Sequence, residues 1–141
     1  MSLSVRIEQQ GGPEVLQLVD APVGTPGAGQ LRLRHGAIGL NFLDIYQRSG
    51  VYKVALPSGM GSEAAGVVTA VGPGVSGFAE GDRVAYASGP LGAYSEERLL
   101  PAANAVKLPP DTPAMASTSD SRLTGMPRVT TGVRRSSSST P

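Results

Sequence analysis

Apolar and polar residues alternate in short runs along most of this chain, and the runs are separated by glycine and proline. Leu3, Val5 and Ile7 alternate with polar neighbours. After the break at Gly11-Gly12-Pro13, Val15 to Val19 forms a second run, so the chain opens on a pair of strands. Pro22 to Gly29 is a loop. Leu31 and Leu33 then alternate with Arg32 and Arg34, which predicts a strand with one wet face and puts His35 on the Leu31/Leu33 side. Ala64 to Val71, small and then Val-rich, predicts a strand packed against close neighbours. Further strands are expected at Asp82 to Ala87, within Gly92 to Leu100, and at Ala105 to Leu108.

The period changes once, after Gly39. Asn41 is a good N-cap, Asp44 stands at the third helical position where a carboxylate suits the positive end, and Phe42, Leu43, Ile45 and Tyr46 fit one short helix. Gly50 closes it as a C-terminal glycine. Val51 to Pro57 is irregular, with Tyr52 turned to whatever that loop faces. The chain is therefore mainly β with short helices.

From residue 111 the texture breaks. Residues 111–141 hold seven Ser, six Thr and three Pro, no aromatic residue and no apolar period. Such a segment cannot bury enough apolar surface to offset its ordering entropy, so it is expected to be a disordered tail behind a domain of residues 1–110. A chain of that size can bury a real core.

Composition removes several functions. Without cysteine there is no disulfide framework, thiolate metal site or cysteine nucleophile. One histidine and no G-x-S-x-G leave hydrolysis by a serine poorly supported, and a zinc site would need carboxylates alone. Residues 1–110 carry eight Lys/Arg against nine Asp/Glu, and residues 111–141 carry four Arg against two Asp. Neither part is basic enough to imply nucleic acid, and Arg134-Arg135 reads as a solvated pair. With no apolar leader at the start and no run long enough to span a membrane, the chain reads as soluble and cytoplasmic.

One motif misleads. Gly72-Pro73-Gly74-Val75-Ser76-Gly77 matches the dinucleotide fingerprint G-x-G-x-x-G, but that fingerprint works when its glycines open a helix whose free N–H groups hold the pyrophosphate. Here Pro73 removes a donor, Gly81 interrupts any helical run, and Asp82-Arg83-Val84 resumes a strand pattern. The stretch is expected to be a turn between strands.

The remaining polar cluster is Asn41, Asp44, Tyr46 and Tyr52, beside Glu63. An amide at a helix start with two phenols nearby could line a pocket for a flat, weakly polar substrate. Equally, Asn41 and Asp44 could simply cap while the tyrosines pack. Glu63, among small residues, must be satisfied whether its role is structural or catalytic. His35, with nothing nearby in sequence to orient its ring, reads as a structural residue.

These residues also carry a resemblance. Gly39 to Gly50, the block Gly61 to Val68 with Val71-Gly72, and Gly81-Asp82-Arg83-Val84 resemble the quinone oxidoreductases, the zinc-independent branch of the medium-chain dehydrogenase/reductase superfamily. Gly11 to Leu16 and Leu91 to Ser95 fit as well, so the similarity covers about residues 3 to 111. The resemblance implies a GroES-like catalytic domain, a mostly antiparallel, partly open β-barrel, followed by a Rossmann domain that binds NADPH. Zinc-containing relatives place a Cys where Asn41 stands and a His where Ser62 stands; both are missing here while Glu63 remains, so no zinc is expected.

By the same resemblance Asn41, Tyr46 and Tyr52 would be the catalytic residues at the cleft where nicotinamide and quinone meet, with Asp44 and Glu63 completing the substrate-binding set. Asn41 would touch substrate or cofactor. After Leu108-Pro109-Pro110 the resemblance stops, with no strand, glycine loop and helix in order. The expectation is a truncated or frame-shifted relative without its Rossmann domain, a poor enzyme alone. The alternative is a non-enzymatic GroES-like fragment or interaction module that self-associates through apolar surface left uncovered.

Overall fold

The computed structural model describes residues 1–112. The tail expected to be disordered lies outside the described residues from residue 113 onward. Eight strands and one α-helix follow in the order β1 (Ser2–Ile7), β2 (Gln17–Ala21), β3 (Gln30–Ile38), α1 (Phe42–Ser49), β4 (Ser58–Gly59), β5 (Ala64–Val71), β6 (Arg83–Tyr86), β7 (Glu97–Pro101) and β8 (Val106–Lys107). They form a three-stranded sheet, β2-β1-β4, and a five-stranded sheet, β7-β3-β5-β6-β8, antiparallel throughout and not closed into a barrel. The mainly β, partly open architecture read from the sequence is the one observed.

Alternation explains the main sheet. Leu31 and Leu33 of β3, Val68 of β5, Val84 and Tyr86 of β6 and Leu100 of β7 point to one side and make the larger core with Ala64 and Ala93. Each such aliphatic side chain contributes about 1.5–3 kcal/mol by leaving water. A smaller core, Ile7, Val15 and Met60, lies under the three-stranded sheet. β1 joins the two sheets, because the Val5 N–H donates to the Tyr94 carbonyl (2.8 Å) and the Glu96 N–H to the Leu3 carbonyl (2.9 Å).

Two expectations need correction. The second strand begins at Gln17 rather than at Val15, because Val15 ends the 3₁₀ turn Pro13–Val15, where Pro13 fixes its own φ at the first position and Val15 packs into the smaller core. Within Gly92 to Leu100 the strand begins at Glu97. Gly92 has φ +131°, so residues 92–96 follow an irregular path that serves both sheets. The Leu56–Pro57 peptide bond is cis.

Glycine allows the β3–β5 contact to close. A Cβ on Gly66 would lie 2.1 Å from the Arg34 carbonyl oxygen. The register of this pair shifts between His35 and Ala37, a bulge after which Ala37 and Ile38 still pair with Ala65 and Ala64.

Candidate active site beside helix α1

Helix α1 begins and ends as its sequence dictates. Asn41 is extended (φ −126°, ψ 152°), and its backbone N–H donates to Asp44 Oδ2 at 2.9 Å. Gly50 ends the helix in the left-handed region, φ 91°. The distribution of its side chains is unusual. Leu40, Phe42 and Ile45, in and beside the helix, are 81%, 77% and 46% exposed, whereas the carboxylate of Asp44 is buried. The helix thus buries its charge and leaves apolar residues on the surface, which marks a binding face more often than a stable exterior.

The buried carboxylate has a partner from far away in the chain. The Tyr94 hydroxyl donates to Asp44 Oδ2 at 2.6 Å, while Asp44 Oδ1 is buried without a hydrogen-bond partner. Tyr94 is placed by its own backbone, whose N–H donates to the Met60 carbonyl at 2.8 Å, and by Gly61, where a Cβ would stand 2.3 Å from the ring. Burial and then the Asp44 carboxylate push the Tyr94 phenol well above its ordinary value, so it stays a hydrogen-bond donor at neutral pH. The other end of α1 is held by Gln10, whose amide donates to the carbonyls of Gln47 and Tyr52, both at 2.8 Å, and by Arg48 Nη1 on the Gly11 carbonyl at 2.6 Å.

A cavity of about 400 Å³ lies against this helix, lined by Asn41, Phe42, Asp44, Arg48, Met60 and Tyr94 among others. Asn41 and Asp44 are thus brought together, as the sequence pattern suggested, and Asp44 also serves as the cap residue proposed for it. Tyr46 and Tyr52 are not among the lining residues. They form their own edge-to-face pair, ring centroids 5.7 Å apart, each about half exposed. Glu63 is separate again. It lines a second cavity of about 490 Å³ with Gly39, Ala65 and Tyr86, and its side chain fills the space a Gly39 Cβ would need.

Tyr94 is the site residue that sequence reasoning missed. Its link to Asp44 spans 50 positions, and nothing in Gly92-Ala93-Tyr94-Ser95 says which acceptor the phenol finds. The unmet need of a buried carboxylate for a second donor was the available signal, but burial of Asp44 itself is not legible locally.

The glycine-rich stretch behaves as the turn it was expected to be. After β5 the Gly72 N–H donates to the Gln30 carbonyl (2.8 Å), Gly74 and Gly77 have positive φ, and no helix follows before β6. His35 is a fully partnered residue, held by Ser95 and Tyr86. Among the described residues no group of three or more His, Cys, Asp or Glu side chains is disposed to hold a metal ion, and no helix is long and apolar enough to cross a membrane.

Residues 27–110 match the family model for the alcohol dehydrogenase GroES-like domain. The chain is 53% identical over 110 residues to a quinone oxidoreductase of Pseudomonas aeruginosa, covering 77% of this chain and 34% of that protein. It is 47% identical to a 2-haloacrylate reductase of a Burkholderia species, covering 79% of this chain and 34% of that protein. Among solved structures it superimposes on the Escherichia coli quinone oxidoreductase complexed with NADPH with a TM-score of 0.74 and 45% identity, over 76% of this chain and 33% of that one. The chain therefore spans about a third of the length of the curated relatives it matches.

Proposed function

Because the chain belongs to the alcohol dehydrogenase GroES-like domain family, and its relatives include quinone oxidoreductases, we propose that its described residues form the substrate side of an oxidoreductase transferring a hydride from NADPH to a quinone. The observation that carries this reading is the face beside α1. An exposed amide, Asn41, stands at the helix start between exposed Leu40 and Phe42 and over the cavity of about 400 Å³. Apolar walls with one convergent polar group suit a flat carbonyl compound.

On this reading NADPH supplies the hydride. Asn41 donates to the carbonyl oxygen that gains negative charge and orients the ring. Tyr46 and Tyr52, which pair with each other outside the lining of that cavity, supply an aromatic wall beside it, and Leu40 and Phe42 exclude water from it. Asp44 holds the helix start in place, and Glu63 closes the neighbouring wall against Gly39. With Asn41 and Ser62 where zinc-containing relatives carry ligands, the polarising role falls to the amide rather than to zinc. The reading places the protein in the cytoplasm.

The fit to NADPH is partial. Asn41 can meet the nicotinamide end, but the pyrophosphate needs a helix N-terminus behind a glycine turn, and among the described residues no glycine turn opens a helix in that way. The described residues by themselves are therefore expected to bind NADPH weakly and to support little NADPH-dependent quinone reduction. Quinones and 2-haloacrylates share an electron-poor C=C conjugated to a carbonyl. The likeness to a 2-haloacrylate reductase thus supports a second substrate class for the same site.

A titration of the ¹⁵N-labelled chain with a soluble benzoquinone, with 2-chloroacrylate and with NADPH tests this. Saturable shifts centred on residues 40–52 with a quinone support the reading, and with 2-chloroacrylate alone they move it to the second class. Shifts with neither would sink it in favour of a non-enzymatic module. Sedimentation of the same sample would show whether the exposed apolar face drives the self-association proposed with that alternative.

A further inference from the structure

Arg48 is the sole cation lining the cavity beside α1 among the described residues, and the function proposed above gives it no part. It follows Asn41, Asp44 and Ile45 along one side of the helix, at the i, i+3, i+4, i+7 spacing that stacks side chains on one face. Its place is fixed by a reciprocal pair of bonds. Nη1 donates to the Gly11 carbonyl at 2.6 Å, and the Arg48 carbonyl accepts the Gly11 N–H at 2.8 Å.

The rest of the guanidinium is uncommitted. Arginine presents a planar fork of N–H donors. Among the described residues only the Gly11 carbonyl takes one of them, and the ion pairs are Arg32–Glu97 and Lys107–Asp82. Asp44, one helical turn away, makes no ion pair with it. Asp44 Oδ2 accepts from the Asn41 N–H and the Tyr94 hydroxyl, and Oδ1 is buried without a partner. Because Asp44 is only 4% exposed and Arg48 is partly open, an anion entering the cavity meets the cation without touching the carboxylate.

We propose that Arg48 is a specificity residue of the candidate site, its guanidinium binding the carboxylate of a small α,β-unsaturated acid whose C=C lies toward Asn41. This rests on the oxidoreductase reading above, and it adds to the quinones a class of substrate that carries a negative charge.

The chemistry fits both ends. A guanidinium matches a carboxylate with two parallel N–H donors, and it is more weakly hydrated than an ammonium, so less water has to be displaced. Leu16, Ile45 and Met60 line the same cavity of about 400 Å³ and limit the water and salt that would screen the pair. Seven residues of helix rise by about 10 Å, and side chains on a helix lean toward its N-terminus, so the guanidinium and the amide of Asn41 face one bound molecule from two directions. A neutral quinone has no group that calls on the fork and leaves it in water.

Two ligands that differ by one charge, 2-chloroacrylate and 2-chloroacrylamide, test this on the unaltered chain. The readout is the ¹H–¹⁵N spectrum of the backbone and of the Arg48 side-chain Nε–H. The acid should bind at least about tenfold more tightly than the amide, move the Arg48 signal, and lose its advantage as salt is raised. Arg48→Gln should abolish the preference for the acid, and Arg48→Lys should keep only part of it, because an ammonium lacks the planar fork. A preference that survives Arg48→Gln overturns the inference. Equal binding of acid and amide, an Arg48 signal that stays still, or no shift by the acid at residues 40–52 does so even if both variants fail to fold. If a benzoquinone still shifts residues 40–52 in that case, the oxidoreductase reading stands; if no ligand does, both fall.

Discussion

The Tyr94 hydroxyl and the Asp44 carboxylate meet at 2.6 Å, and this one bond ties the start of the site helix to the segment that joins the two sheets. Asp44 Oδ2 accepts from two donors, Tyr94 and the Asn41 N–H, inside a largely water-excluded pocket. Hydrogen bonds to a charged acceptor contribute about 1.5–3 kcal/mol. Tyr94→Phe should therefore lower the folding free energy by about that amount, read as a fall in the urea midpoint at unchanged slope. A loss below about 0.5 kcal/mol would mean that water or Asn41 replaces the phenol without cost.

Gly61 faces the same phenol ring. With φ +84° and a Cβ position 2.3 Å from a Tyr94 ring carbon, it combines a left-handed backbone with a closed space. Gly61→Ala should cost at least about 2 kcal/mol, from backbone strain and displacement of the ring together. Loss of the near-ultraviolet tyrosine signal at unchanged far-ultraviolet circular dichroism would localise the damage.

The glycine turn offers a contrast between two neighbours. A Cβ on Gly72 would lie 1.9 Å from the Gly27 carbonyl oxygen, whereas Gly74 (φ +75°) has nothing within 4 Å. Gly74→Ala should cost about 1 kcal/mol from conformation alone, and Gly72→Ala clearly more. Because neither glycine belongs to a nucleotide site on our reading, neither change should alter any NADPH-induced shift, as the same titration would reveal.

Arg32 and Glu97 pair across β3 and β7 at 2.6 Å, with side chains 36% and 24% exposed. Water screens a pair so placed, so a double-mutant cycle with Arg32→Gln and Glu97→Gln should return a coupling below about 1 kcal/mol. A larger value would show that Ser2, which both donates to and accepts from the Glu97 backbone, stiffens the pair.

The functional reading makes its own demand on Asn41. Asn41→Asp keeps a good N-cap but removes the amide donor, so quinone affinity should fall about tenfold while folding stability changes little. Equal quinone binding by the variant would detach Asn41 from the site. Tyr52→Phe should weaken binding less, because the ring that pairs with Tyr46 is retained.

What the sequence determined was local. Alternation fixed the strands of the main sheet, Asn41, Asp44 and Gly50 fixed both ends of α1, and Pro73 with Gly81 ruled out a nucleotide loop, because each rests on neighbouring residues that restrict φ and ψ or repeat with one period. The resemblance supplied the candidate residues as a set. Only the tertiary structure decided how they are arranged. Asn41 and Asp44 share one cavity, the two tyrosines pair with each other, and Glu63 lines another wall. The partners of Asp44 and His35, at separations of 50 to 60 positions, are set by sheet register and by the irregular path of residues 92–96. No periodicity records such contacts, since a buried polar group takes whichever donor the packing of distant strands brings within reach.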